Sequence, residues 1–234
     1  MTEISHDFLS EYSKGELGVQ LLKRLVVNGI SENLVEFLSL EDAHGVDSLK
    51  VDKTGVDCYL ETKQDKIYPI QVKTEYAVNC FIELVSQVHL NSDKTKIGWA
   101  LDVNAKSDYT YFINYSNGVA VANSENLRTF LQESLANKGG DPIFNGMKYP
   151  LKKAWNYNVN GTNYISIGVP VNWDDFLEWE CVDMSWDWDK VLDILKDDKD
   201  GIEIIEAMQE HHLSGIPPQG KSVEVEERRK NTDS

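Results

Sequence analysis

The sequence predicts an α/β fold, a mixed sheet flanked by helices, followed by an acidic helical C-terminal extension. Three observations predict it. Tyr12, Val19, Leu22 and Val26 recur at spacings of 7, 3 and 4, with Leu17, Leu21 and Leu25 as an adjoining apolar row, the periodicity of an amphipathic helix. From Asp57 to Lys73 apolar residues alternate with polar ones about the turn Lys63-Gln64-Asp65-Lys66, the pattern of a β-hairpin. From Asp174 onward the chain carries 18 acidic and 7 basic residues, net −11.

The first helix is expected over residues 5–28 and ends at Asn28-Gly29. Gly15 and Gly18 each cost about 1 kcal/mol relative to Ala inside a helix, so its first part is expected as a separate turn or a kink. Residues 34–60 contain Gly45-Val46-Asp47 and Gly55-Val56-Asp57, ten residues apart, and read as hairpin-like chain feeding a strand. After the 57–73 hairpin, strands are expected at Cys80–Ser86, Tyr109–Tyr115 and Gly118–Ala122. A helix follows over Ser124–Asn137, with Ser124 as N-cap and Leu127, Phe130, Leu131 and Leu135 as its stripe. Lys138-Gly139-Gly140-Asp141-Pro142 breaks it. Asn163–Val171 is rich in Val, Ile and Gly and reads as a strand leading to an acidic, Trp-bearing helical region from Trp173. A short helix at Trp186–Lys196, a turn at Asp197–Gly201 and a helix to about His212 follow. Residues 214–234 are expected to be disordered.

Across 234 residues there are 23 basic and 39 acidic side chains, net −16, with 41% hydrophobic and 10% aromatic residues. That apolar content excludes a wholly disordered chain. No stretch approaches a membrane-spanning run, and residues 1–7 lack a basic segment followed by an apolar one, so no membrane partner is expected. Cys58, Cys80 and Cys181 are odd in number and far apart, which argues against disulfides or a zinc cluster and for a cytoplasmic location. An acidic surface disfavours nonspecific nucleic-acid binding, yet Lys63, Lys66 and Lys73, Lys94 and Lys96, or Lys148, Lys152 and Lys153 can form a local basic site.

An odd-numbered hairpin connection sets Asp57 opposite Lys73 and Tyr59 opposite Gln71, with Cys58 and Leu60 facing Val72 and Ile70. One face is then apolar and the other gathers Asp57, Gln71 and Lys73. An even connection would bury Asp57 beside Ile70, so the apolar pattern selects the register that assembles the polar cluster. A carboxylate, an amide oxygen and a lysine together suit metal-assisted phosphodiester hydrolysis. Asp57 and Gln71 are candidate ligands for Mg²⁺ (or Mn²⁺), and Lys73 is a candidate to orient or deprotonate water and to balance developing charge. Glu16 interrupts the apolar stripe of the first helix, and its carboxylate is expected partly desolvated against the sheet.

Asp57, thirteen intervening residues, then Gln71-Val72-Lys73 at the end of an apolar strand resembles the PD-(D/E)xK, or restriction-endonuclease-like, nuclease superfamily. It is most similar to the Gln-x-Lys branch, as in Mrr-like restriction and phage-type repair nucleases. Lys14-Gly15-Glu16-Leu17 looks like the family's helical glutamate motif, whereas Val56 stands where the family has proline. The resemblance covers residues 8–122, or to 177 if Tyr164–Phe176 is a closing strand and helix. It implies an α-β-β-β-α-β core, Mg²⁺ bound by Asp57, Gln71 and the Val72 carbonyl, catalysis by these with Glu16 and Lys73, and DNA as the substrate cleaved. The domain division that goes with it is a nuclease domain over 1–177, an acidic helical extension over 178–213 and a tail over 214–234. Homodimerisation stays open, and the acidic C-terminal segment is a candidate contact for a protein partner.

Other readings compete. Asp57 and Lys73 also read as an exposed cross-strand ion pair. Asp47 rivals Asp57 as the motif acid, and Glu83 reads as an edge-strand carboxylate or a group approaching the metal. His211-His212 reads as a solvated pair at a helix end. Asp198, Asp200 and Gly201 fail as a calcium loop because Lys196 and Ala207 occupy its first and twelfth positions. Trp173, Trp179, Trp186 and Trp188 read as core or docking aromatics. A nuclease-fold module without activity that binds DNA or protein, and an acidic interaction protein, are the alternative functions.

Overall fold

The computed structural model describes residues 4–45, 54–75, 79–89, 95–135, 143–144, 147–157 and 163–215. Asp47, Lys94 and residues 216–234 lie outside them. The fold is mixed α/β, built on a six-stranded mixed sheet, a five-stranded mixed sheet and a small hairpin. A short strand β1 (Ile4–Asp7) precedes the helix α1 (Phe8–Val27), which runs through Gly15 and Gly18 without interruption. Close packing requires Gly18: a Cβ there would lie 2.0 Å from Thr74 Oγ1.

The central sheet has the order β13 (Val182–Asp187), β8 (Gly118–Asn123), β7 (Tyr109–Asn114), β4 (Ile67–Glu75), β3 (Cys58–Thr62) and β2 (Leu34–Ser39). β4 and β7 are parallel neighbours, and every other pair in this sheet is antiparallel. The chain between them carries β5 (Asn79–His89) and β6 (Thr95–Ile97), which leave for the second sheet. There they join β12 (Asn163–Asn172), β11 (Lys152–Tyr157) and β1, in the order β1-β11-β12-β5-β6. β9 (Ile143–Phe144) and β10 (Met147–Lys148) form the hairpin. Among the described residues the remaining helices are α2 (Leu40–His44), α3 (Ser124–Leu135), α4 (Trp173–Leu177), α5 (Trp188–Leu195) and α6 (Lys199–Gly215).

Alternation along β7 and β8 divides the core in two. Tyr111, Ile113, Val119 and Val121 face a first core with Leu21, Leu22 and Leu25 of α1, Val191 and Leu195 of α5, and Ile205 and Met208 of α6. Phe112, Ala120 and Ala122 face a second core with Ile82, Leu127, Val169, Trp173, Phe176 and Trp179. Burial on both faces is the condition in which strands become near-continuous apolar runs. Residues 178–213 pack onto this framework. They add an edge strand to the central sheet and two helices to the first core, because the acidic residues alternate with Val191, Leu195, Ile205 and Met208, which are buried. The helical region expected from Trp173 holds only α4 before β13 begins.

The β3–β4 hairpin keeps the expected faces but shifts by two residues. Cys58 lies opposite Ile70 and Leu60 opposite Tyr68, not opposite Val72 and Ile70. The turn explains this. Lys63, Gln64 and Asp65 form a three-residue loop closed by the Thr62 amide donating to the Lys66 carbonyl at 2.9 Å, with Asp65 in the left-handed region at φ 58°. Because the shift is even, Ile70 and Val72 remain in the first core while Gln71 and Lys73 remain on the opposite face.

Candidate active site

The Gln71 and Lys73 face of β4 opens on a cavity of about 330 Å³, whose wall also carries Glu83, Lys96, Trp99 and Asp102. Gln71 is 4% exposed, and its amide makes no hydrogen bond to any described residue. Gly55, at φ 75°, lets the chain pass beside that amide; a Cβ there would stand 3.2 Å from Gln71 Nε2. Lys73 Nζ lies 5.0 Å from the centroid of the Trp99 ring, a cation–π arrangement that fixes the ammonium at the cavity wall.

The acids come from the excursion between β4 and β7. Glu83, on β5, accepts a hydrogen bond at Oε2 from Ser86 Oγ at 2.9 Å. Gly98 lies against the Glu83 backbone so closely that an added Cβ would be 2.2 Å from the Glu83 carbonyl oxygen. Asp102 accepts at Oδ1 from the Asn104 amide at 2.9 Å and from Asn104 Nδ2 at 3.1 Å, an Asx turn that orients its carboxylate. Each carboxylate thus has one oxygen held in place while the other bonds no described residue.

The predicted site residues are distributed unequally. Gln71 and Lys73 line the cavity, whereas Asp57 does not. The Asp57 carboxylate accepts the Val72 amide at 2.6 Å, and the Asp57 amide donates to the Ile70 carbonyl at 2.8 Å. Along the ladder set by Thr62–Lys66 and Cys58–Ile70, residue 56 would take the next rung with Val72. The Asp57 side chain takes that bond as β3 departs from β4. Val72 has its side chain in the first core, and its carbonyl faces the same strand edge as its amide. Glu16 is exposed on α1 and accepts from Gln20 Nε2 at 3.4 Å, not desolvated against the sheet as expected. α1 covers the Val72 and Thr74 side of β4, opposite Gln71 and Lys73.

No family model, curated protein or solved structure matches this chain in comparisons with known proteins.

The residues on the cavity fit a hard divalent cation. Among the described residues, no three of His, Cys, Asp and Glu come together, so a cation here would have at most two carboxylates, the Gln71 amide oxygen and water. Mg²⁺ favours this kind of set, since it keeps several waters and takes one or two carboxylates. Sequence reasoning missed Asp102 and Trp99 and favoured an edge-strand role for Glu83. No spacing signals Trp99 and Asp102, because they reach the cavity only through the return of the chain from the second sheet.

Elsewhere the rival candidates have structural work. Asp198 caps α6 through the Gly201 amide at 3.1 Å and holds Arg24 Nε at 2.6 Å and Asn28 Nδ2 at 2.5 Å. Trp173 and Trp179 are buried in the second core, and Trp188 Nε1 donates to the Asn114 carbonyl at 3.2 Å. Burial raises the Cys58 and Cys80 thiols well above their ordinary range and pushes Cys181 up to about 12, so none is an available thiolate. The side chains of His211 and His212 lie outside the described set.

Proposed function

We propose that this protein is a metal-dependent nuclease of restriction-endonuclease-like topology that hydrolyses DNA phosphodiester bonds in the cavity beside Gln71 and Lys73. The observation that carries the reading is that both motif residues of β4 line one polar cavity whose wall also carries Glu83 and Asp102. The chain order supports it as well. α1 is followed by the antiparallel run β2, β3 and β4, and β7 lies parallel beside β4. Among its described residues, the segment that joins β4 to β7 contains β5 and β6 rather than the helix that the family order implies.

Gln71 would hold Mg²⁺ or Mn²⁺ through its amide oxygen, together with a carboxylate from the cavity wall. When bound, such a cation supplies Lewis-acid polarisation of a phosphoryl oxygen and an acidified water. Lys73 would place a positive charge beside the phosphoryl oxygens, where negative charge accumulates in the transition state, and the Trp99 face holds that charge in position before substrate arrives. Lys96, on the same cavity, adds a second cation for the phosphate backbone, and this local pair offsets a net charge of −16 at the point of contact.

One observation favours a second reading, a nuclease-fold module that binds DNA or protein without cutting. Asp57 is committed to the Val72 amide and lies off the cavity wall. Incubation with supercoiled plasmid and with branched DNA separates the two. Nicking with Mg²⁺ or Mn²⁺ that stops on adding EDTA supports the nuclease, and binding without any cleavage on either substrate selects the module.

A further inference from the structure

We infer that Glu83 and Asp102, not Asp57, are the anionic ligands of a divalent-cation site whose third protein donor is Gln71. This rests on the nuclease reading for its purpose but not for its geometry. Glu83 and Asp102 line the same cavity as Gln71, whereas Asp57 does not.

Two carboxylates on a cavity wall are not in themselves a site, and Gln71 supplies the independent reason. It is 4% exposed, bonds no described residue and lines the cavity, so the cavity is where its amide meets a partner. Its amide end lies by Gly55, which lines the same cavity. A cation with its water shell offers Gln71 such a partner while also engaging both acids.

The carboxylates are oriented as ligands commonly are. Ser86 holds Glu83 Oε2, Asn104 holds Asp102 Oδ1, and the second oxygen of each bonds no described residue. Such supporting bonds fix ligand geometry. Lys73 and Lys96 share the cavity, so the wall as a whole matches a cation carrying a phosphate: acids for the metal and ammonium groups for the anion. A neutral glutamine in the motif position is thereby compensated from β5 and the following loop. Asp57 is left to hold the start of β3 on β4.

Tb³⁺, an oxygen-seeking ion whose emission is sensitised by a nearby indole, reports this site through Trp99. In the full-length protein we expect saturable sensitised emission that Mg²⁺ displaces. Glu83→Gln and Asp102→Asn should each weaken Tb³⁺ and Mg²⁺ binding at least tenfold, and Asp57→Asn, which keeps an oxygen for the Val72 amide, should change it less than threefold. Thermal unfolding of each variant checks that it is folded. Wild-type-like binding by Glu83→Gln and Asp102→Asn, or loss of binding in a folded Asp57→Asn protein, overturns the inference, as does the absence of Mg²⁺-displaceable emission from wild type. DNA cleavage measured on the same samples keeps the two ideas apart. Cleavage by wild type and Glu83→Gln alike sinks the ligand assignment and leaves the nuclease standing. Cation binding that follows Glu83 and Asp102 with no cleavage does the reverse.

Discussion

The Asp57 carboxylate accepts the Val72 amide hydrogen bond at 2.6 Å and so takes the place of a backbone rung at the mouth of the β3–β4 hairpin. Replacing it with Ala leaves that amide without its charged acceptor. We expect Asp57→Ala to lose about 1–3 kcal/mol in denaturant unfolding, and Asp57→Asn to retain most of that stability because an amide oxygen still accepts. Equal losses would show that the charge, and not the acceptor, matters.

The two glycines of α1 should behave oppositely. Nothing lies within 4 Å of a Cβ built on Gly15, whereas one on Gly18 meets Thr74 Oγ1 at 2.0 Å. Gly15→Ala should stabilise by up to about 1 kcal/mol through helix propensity. Gly18→Ala should destabilise by about 1–3 kcal/mol as helix and strand are forced apart. Removing the obstructing hydroxyl in a Gly18→Ala, Thr74→Ala double variant should recover part of the loss, a coupling readable by thermal unfolding.

Local pattern made much of this fold legible. Ser124 opens α3 where a capping residue precedes an apolar stripe, and the faces of β3 and β4 follow from alternation alone. The two-residue register shift was not legible because it depends on Asp65 adopting a left-handed conformation, which Asp tolerates but does not dictate. β13 was hidden because Val-Asp-Met-Ser-Trp-Asp is acidic and largely exposed at the sheet edge, so it carries little of an apolar strand's signal. Of the site, Gln71 and Lys73 were readable as neighbours on one strand face. Glu83 was readable as an approach to the metal only beside the favoured edge-strand reading, and Trp99 and Asp102 were not readable, since long-range return of the chain brings them there.

Asp198 makes acid stability testable. Hydrogen bonding from Arg24 holds its carboxyl down at about 2, below an ordinary value of 3.8. The contribution is therefore complete above about pH 4 and is lost as pH falls toward 2. Asp198→Asn should flatten the acid limb of a stability–pH curve in that window and lower stability at pH 7. Parallel acid limbs in wild type and variant would contradict this.

Gln71→Glu puts a carboxylate at a position now 4% exposed. Without a cation, desolvation opposes its charge. We expect lower thermal stability than wild type in EDTA and a larger rise on adding Mg²⁺. Equal Mg²⁺-dependent rises in the two proteins would mean that residue 71 does not face the ion.

Single-turnover cleavage by wild type and Lys73→Ala, with DNA binding measured in parallel, tests the nuclease reading most directly. On that reading Lys73 acts on the transition state, so the variant should cleave about 10²–10⁴-fold more slowly while binding DNA within a few-fold of wild type. Equal cleavage by both proteins, or binding by both with no cleavage in Mg²⁺ or Mn²⁺, would contradict it.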